Sequence, residues 1–312
     1  MSETSTAGKS VRLGAALTGP NQFGTLAATD NIVMADDPII SMTMASAEEN
    51  VLLVREALVG MSHALGLDAL ALEDILTAVT EACNNVVLHA YPRGTGPLQF
   101  EVRGENNVIQ AVVRDHGVGV RPNLRSSRAQ IAGIGIPVIQ SLAQRVEFRR
   151  PSSDGGTEVR MEFETRRAGT LDGLAGEVSR VPLPFQHDPA SIAITVAPPW
   201  LLQTLLPRLL GVLGAQADFS TNRLSDVHIL ADALAAHAPV ALEVDGLALI
   251  ASVTPRSLEL SVGPLSPAEG ERLLGTTEIP SLGWVIERLT DGHSMSPGDG
   301  PGMLVLELRD RT

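Results

Sequence analysis

Glu81 and Asn85 stand four residues apart in Glu81-Ala82-Cys83-Asn84-Asn85. On a helix that spacing turns both to one side. A carboxylate there can take a proton from an attacking hydroxyl, and an amide oxygen one turn on can ligate a hard cation such as Mg2+. A solvated helix face carries the same residues. In Val112-Val113-Arg114-Asp115-His116-Gly117-Val118-Gly119, an acid ends an apolar run and two glycines let the backbone come close to a flat ligand. Asp115 can accept a hydrogen bond from an exocyclic amine, although an ordinary turn has the same composition. Gly133 and Gly135 precede a segment whose helical start Pro137 fixes, leaving N–H groups suited to phosphate oxygens. Asp154-Gly155-Gly156-Thr157 leads into an apolar stretch as a hairpin turn would.

Two other glycine patterns fail on spacing. Gly8-Lys9-Ser10 ends like a phosphate-cradling P-loop, but Glu3 stands where the first glycine is needed and no strand precedes it. A dinucleotide fingerprint through Gly133 and Gly135 wants a third glycine at position 138, which is Val138. Lys9 is also the only lysine in the chain, so chemistry that needs a buried lysine has one poorly placed candidate.

The elements that must hold these groups can be read from apolar periodicity. Residues 39–44 read as a strand, 47–65 as a helix broken by Gly66, and 68–90 as a second helix with Leu72, Ile75, Leu76, Val79, Ala82, Cys83, Val86 and Val87 on one stripe. Cys83 therefore belongs to the core. Pro92 and Gly94 end that helix. Residues 98–103, 108–114 and 158–163 are strand-like, with a short helix at 137–145. The order β-α-α-β-β-α-β predicts helices covering one face of a mixed sheet, an α+β fold.

After a stretch at 166–190 without periodicity, which reads as a linker, the order returns. Residues 191–196 read as a strand, 198–214 and 223–237 as helices, 240–245, 247–253 and 258–262 as strands, 282–289 as a helix and 303–308 as a closing strand. Leu72 and Asp74 match Leu224 and Asp226, and Val138, Ile139 and Leu142 match Val285, Ile286 and Leu289. These likenesses predict an internal duplication: a tail at 1–37, one domain at 38–165, the linker, and a second domain at 191–312. The chemistry-bearing residues are absent from the second copy, where Ala233, His237, Pro280, Leu282 and Gly302 stand for Glu81, Asn85, Gly133, Gly135 and Thr157, with no acid near Val262.

Composition narrows the functional classes. Lys and Arg number 23 against 36 Asp and Glu, a net charge of −13, which argues against direct contact with nucleic acid. A single cysteine excludes an internal disulfide. No run of roughly 18 apolar residues is present, so no membrane association is expected and the expected address is cytoplasmic.

Taken in order, Glu-x-x-x-Asn on the second helix, Asp-x-Gly-x-Gly after a strand, Gly-x-Gly before a helix and Gly-Gly-Thr before a final strand resemble the N, G1, G2 and G3 boxes of the GHKL ATPase superfamily. Glu81-Ala82 through Asn85 to His89-Ala90-Tyr91 is most similar to the anti-sigma-factor serine kinases of the RsbW type, over residues 39–165. The resemblance implies two tandem α/β sandwich domains of histidine-kinase-like ATPase type, ATP and Mg2+ as cofactors, and Glu81 as general base. It implies Asn85 as Mg2+ ligand, Asp115 on the adenine amine, Gly117 and Gly119 along the base pocket, Gly133 and Gly135 over the phosphates, and Thr157 at the adenine end. Arg121, Arg125 and Arg128, in the short segment between Gly119 and Gly133, could meet a γ-phosphate or be ordinary solvated arginines. The implied activity is phosphorylation of an anti-anti-sigma (STAS) protein, with a sigma factor as sequestered partner and a homodimer or intramolecular pseudo-dimer as assembly. A non-catalytic ATP-dependent switch is the alternative.

Overall fold

A computed structural model describes residues 37–105, 107–118, 135–150, 155–165, 191–242, 244–266, 282–296 and 302–311, with 271 and 274. The first half runs β1 (Ile40–Ala45), α1 (Glu48–Leu65), α2 (Ala69–Asn85), β2 (Pro97–Glu105), β3 (Val108–Asp115), α3 (Gly135–Leu142), β4 (Arg145–Arg149) and β5 (Thr157–Glu164). The second runs β6 (Ile192–Val196), α4 (Leu202–Gln216), α5 (Thr221–His237), β7 (Leu247–Thr254), β8 (Ser257–Leu265), α6 (Leu282–Leu289), β9 (Gly292–Met295) and β10 (Gly302–Arg309).

All ten strands join one sheet in the order β4-β5-β3-β2-β1-β6-β7-β8-β10-β9. The α+β class expected from the sequence stands, but the sheet is not mixed: every pairing among the described strands is antiparallel. The two helices between β1 and β2 traverse the domain twice, which returns the chain antiparallel to its start. One helix joins β3 to β4, which makes those two strands parallel, but β5 inserts between them and pairs antiparallel with both.

Period-two alternation sorts the sheet's faces. Ile40, Met42, Met44, Leu98, Phe100, Ile109, Ala111, Val113 and Met161 are buried against the helices, each side chain contributing roughly 1.5–3 kcal/mol when large and fully buried. The opposite face of the first half carries a charge ladder. Glu101 bridges Arg103 and Arg114, and Glu158 bridges Arg114 and Arg160. Asp115 and Thr157 continue the alternation of Val113 and Val159, so both emerge on the helix-covered face, directly opposite each other in the β3/β5 register.

Read outward from the β1/β6 junction, the two halves have the same strand order and the same turns. Gly66 and Asp218 both take positive φ (63° and 55°) after the first helix of each half, as do Asn107 and Arg256 (65° and 62°) in the next hairpin. Asp68 accepts from Ala71 N–H and Ser220 from Arg223 N–H, so each second helix starts on a side-chain cap. β1 and β6 pair about a local dyad in which Met42 faces Ile194 and Ile40 faces Val196. Above it α1 packs on α4. Gly60 allows the approach, since a Cβ there would lie 2.8 Å from the Leu205 side chain and 2.9 Å from Thr204 O.

Three elements differ from the sequence reading. β4 and β9 are additional edge strands; β4 (Arg145–Arg149) alternates Val146 and Phe148 with charged residues, but over only five residues and directly behind the expected helix at 137–145. The strand expected at 240–245 is instead a 3-10 turn, Ala238–Ala241, followed by a single bridge from Leu242 to Leu265. Pro239 supplies no N–H there, and the chain must reverse between α5 and β7. The expected linker at 166–190, and the expected tail apart from Asp37, lie outside the described residues. No helix among the described residues is long and apolar enough to cross a membrane.

Candidate functional site

α2 carries Glu81 and Asn85, and its apolar stripe fixes their direction. Ile75, Ala78, Val79, Ala82 and Cys83 are buried, so Glu81 and Asn85 lie half-buried at the margin of that stripe, not opposite it as the spacing around Val79 predicts, because the stripe is broad enough to reach both. Neither has a hydrogen-bond partner among the described residues. Burial pushes the Cys83 thiol up to about 12, which keeps it protonated and inert. Immediately after Asn85 the helix widens into a π-turn, Val86–Ala90, a feature often found where a helix must re-aim side chains at a site. Sequence periodicity gives no sign of it, because it is a single turn at the end of the helix, with no helical residues beyond it to show a displaced stripe.

The carbonyl that ends this turn organises the next loop. Ala90 O accepts from Val118 N–H at 3.0 Å, and a Cβ at Gly117 would overlap that same carbonyl. Gly117 is thus required by close backbone approach. Asp115, 3% exposed, accepts the Gly117 N–H on Oδ1 at 2.8 Å. Its Oδ2 has no hydrogen-bond partner among the described residues. A buried carboxylate with one oxygen committed and one open is suited to receive a donor from a ligand.

Gly155 and Gly156 cover this acid from the β5 side. Both have positive φ, 131° and 88°, and Gly156 N–H donates to Gly117 O at 2.8 Å. A Cβ at Gly156 would overlap Asp115 O. Beside Thr157 a cavity of about 370 Å³ opens between α3 and β4, walled by Ile136, Gln140, Phe148 and Gly156, with Arg149 and Arg150 at its edge.

Tyr91, the chain's single tyrosine, ties the parts together and was given no role by sequence reading. Its hydroxyl accepts from His116 N–H at 2.8 Å and donates to Pro97 O at 2.7 Å. Burial pushes its pKa up and the nearby Asp115 charge adds to the rise, against the lowering effect of the His116 N–H. Gly96 makes room for the ring, since a Cβ there would overlap it.

At the other end, Gly135 opens α3 against Glu81, and a Cβ on Gly135 would overlap the Glu81 carboxylate. The fold therefore brings together Asp115, Gly117 and Thr157 in one cluster and Glu81 and Gly135 in another, with α2 and its π-turn, and hence Asn85, spanning the two. Gly119 and Gly133 lie outside the described residues, as do Arg121, Arg125 and Arg128. No group of three or more metal-binding side chains occurs among the described residues, so a cation here would need ligands from a bound anion besides Asn85. The open Asp115 oxygen, the glycine cradle, and Glu81 and Asn85, whose side chains have no partner among the described residues, fit a purine nucleotide with its metal.

In the second half these features are replaced by apolar packing. The β-sheet register puts Pro264 two residues beyond Val262, where Asp115 stands beyond Val113. Ala233 replaces Glu81, and Leu282, 2% exposed, replaces Gly135. Side-chain volume has moved from α2's counterpart to α3's counterpart, and none of Ala233, Pro264 and Leu282 offers a carboxylate.

Residues 44–163 match the family model described as the histidine kinase-like ATPase domain, which defines the class of the first half. The chain is 32% identical over 126 residues to the serine-protein kinase RsbW of Halalkalibacterium halodurans, covering 36% of this chain and 76% of that protein. It is 29% identical over 99 residues to the serine-protein kinase RsbW of Bacillus cereus, covering 32% of this chain and 62% of the relative, and 30% identical over 79 residues to that of Bacillus thuringiensis, covering 25% and 49%. The chain belongs to the GHKL superfamily of histidine kinase-like ATPases, in its RsbW-type family. It spans under two thirds of the length of the Bacillus relatives.

Proposed function

We propose that this protein is an ATP- and Mg2+-dependent serine/threonine protein kinase that phosphorylates a STAS-domain antagonist and sequesters a sigma factor. The observation that carries this reading is Glu81: a half-buried carboxylate without a hydrogen-bond partner among the described residues, seated where α3 begins at a residue with no side chain. ATP supplies the transferable phosphoryl group, and Mg2+ neutralises charge on its phosphates. Asp115 Oδ2 accepts the adenine amino group, while Gly117 and Gly119 let the backbone lie against the base. Thr157 supports that end of the ligand. Asn85 ligates the cation, and Gly133 and Gly135 close over the phosphates. Glu81 takes the proton of the incoming serine or threonine hydroxyl as its oxygen bonds to the γ-phosphorus and the bond to the β-phosphate oxygen breaks, leaving ADP and a phosphoprotein.

We read the second half as a degenerate repeat that serves as a built-in second protomer. The dyad at Met42 and Ile194, with α1 against α4, supports this: such a self-matching pairing is what a two-fold interface between copies requires.

A second reading has its own observation. Glu81 lies against the first residue of α3, where the helix's positive end favours a carboxylate, so Glu81 can serve to fasten α3 while nucleotide occupancy only switches partner binding. Incubation with γ-labelled ATP, Mg2+ and a STAS-domain protein separates the two. Transfer that disappears in Glu81→Gln with ATP still bound supports the kinase; ATP binding without transfer in the wild type supports the switch.

A further inference from the structure

The two halves differ sharply where the start of the second helix meets the end of the third. In the second half Arg223, with 13% of its side chain exposed, reaches from α5 to the end of α6. Its Nη1 donates to Asp226 Oδ2 at 3.1 Å and to Leu289 O at 2.9 Å, and its Nη2 to Asp291 Oδ2 at 2.5 Å. The guanidinium is held by two carboxylates and a carbonyl, the donor-to-acceptor arrangement such a planar cation favours.

The matching places in the first half are Ala71, Asp74, Leu142 and Gln144. Backbone bonds fix this equivalence independently of side-chain likeness. Ala71 N–H and Arg223 N–H meet the helix caps Asp68 and Ser220. Ala143 N–H donates to Ile139 O as Thr290 N–H donates to Ile286 O. Gln144 N–H donates to Glu162 O as Asp291 N–H donates to Glu307 O, both at 2.8 Å.

With alanine at position 71 no cation among the described residues fills the slot, and a cavity of about 270 Å³ stands there, lined by Ala71, Asp74, Leu142, Gln144, Phe163 and Glu164. The acceptors persist. Asp74 keeps the place of Asp226 and has no hydrogen bond or ion pair among the described residues. Leu142 keeps the place of the Leu289 carbonyl. Glu164 brings a second carboxylate, held by Gln144 Nε2 at 2.7 Å.

We propose that this cavity is a binding site for an arginine side chain presented by a protein partner. The guanidinium would pair with Asp74 and donate to the carbonyl of Leu142, reproducing between two proteins the contact that Arg223 makes within this one. A net charge of −13 draws a basic partner toward the surface. The site lies at the N-terminal end of α2, whereas Glu81 lies toward its C-terminal end, and it does not depend on nucleotide.

The test uses the full-length, 15N-labelled protein and Nα-acetyl-arginine amide as probe, with Nα-acetyl-lysine amide as the control. Saturable shifts of the Ala71, Leu142 and Gln144 amides are expected, with a dissociation constant on the order of millimolar for so small a ligand. They should vanish in Ala71→Arg, where the introduced guanidinium fills the slot from within, and in Asp74→Asn, each variant first being shown to fold by its thermal transition. Absent shifts in the wild type, unchanged shifts in both variants, or an equal response to the lysine probe would each overturn the proposal. So would a response that appears only after Arg166 and Arg167 are both replaced by alanine, because the slot would then be filled by this chain's own side chains.

Discussion

Glu56 on α1 and Arg208 on α4 form an ion pair at 2.9 Å, and each occupies the other's place in its own half. Both stand 16 residues after the start of their half's first strand, Glu56 after Ile40 and Arg208 after Ile192. A pair that meets its own counterpart sits on the local dyad. Two first halves joined through this surface would set Glu56 against Glu56, and two second halves Arg208 against Arg208. The opposite charges favour the pairing of unlike halves.

Reversing one member tests this. Glu56→Arg or Arg208→Glu alone should lower stability by about 1 kcal/mol, a modest figure because both side chains are about one third exposed. The double exchange should recover most of the loss. A urea double-mutant cycle on the full chain measures the coupling, and additive losses would show that the pair has no role in joining the halves.

Asp115→Asn keeps the shape of the buried acid and exchanges one acceptor oxygen for a donor. ATP affinity should fall by about tenfold to a hundredfold, the effect of a lost charge-assisted hydrogen bond, with a smaller change in guanosine nucleotide binding. Calorimetric titration reads both. Unchanged ATP affinity would place the base elsewhere.

Gly135→Ala puts a methyl group where the Glu81 carboxylate lies. Helix propensity favours the change by up to about 1 kcal/mol, so the melting temperature should hold. Phosphoryl transfer should drop by about tenfold or more, because a displaced base loses alignment with the hydroxyl. Full turnover in this variant would argue against Glu81 as base.

Tyr91→Phe removes a hydroxyl that satisfies His116 N–H and Pro97 O together. A loss of about 1 kcal/mol in the urea transition is expected, accompanied by weaker ATP binding as the Asp115 loop loses its anchor. A drop in stability with no change in affinity would confine Tyr91 to a purely structural part.

Acid sensitivity should come partly from Glu158. Burial raises its pKa, but Arg160 and Arg114 outweigh burial and hold the carboxyl below its usual 4.5. A carboxyl with a lowered folded pKa adds stability that is fully present above the unfolded value and is lost as pH falls through the folded one. Glu158→Gln should therefore lower stability at neutral pH and flatten its decline below about pH 4.5, as followed by urea unfolding across that range. An acid limb identical to the wild type would assign the loss to other carboxyls.

Much of the site was legible because its signals are local. The stripe from Leu72 to Val87 fixed which side of α2 carries Glu81 and Asn85, Asp115 closed an apolar alternation that set its face, and Gly117 and Gly135 marked places where only a missing side chain fits. The replacements Ala233 and Leu282 were likewise visible as residue types. What joins them was not. The π-turn after Asn85 leaves no periodic trace, and β4 hides because its alternation of Val146 and Phe148 spans only five residues directly behind a helix.

The amino-acid order by itself determined the helices, most of the strands, and which half carries Glu81, Asn85 and Asp115, since each depends on neighbours a few residues apart along the chain. Only the tertiary structure decided that β1 and β6 fuse the halves into one antiparallel sheet, that Glu56 finds Arg208 across 152 residues, and that Ala71 opens a slot which Arg223 fills in the other half. Those outcomes depend on edge hydrogen bonds and packing between distant segments, whose partners are chosen by geometry after the local elements have formed.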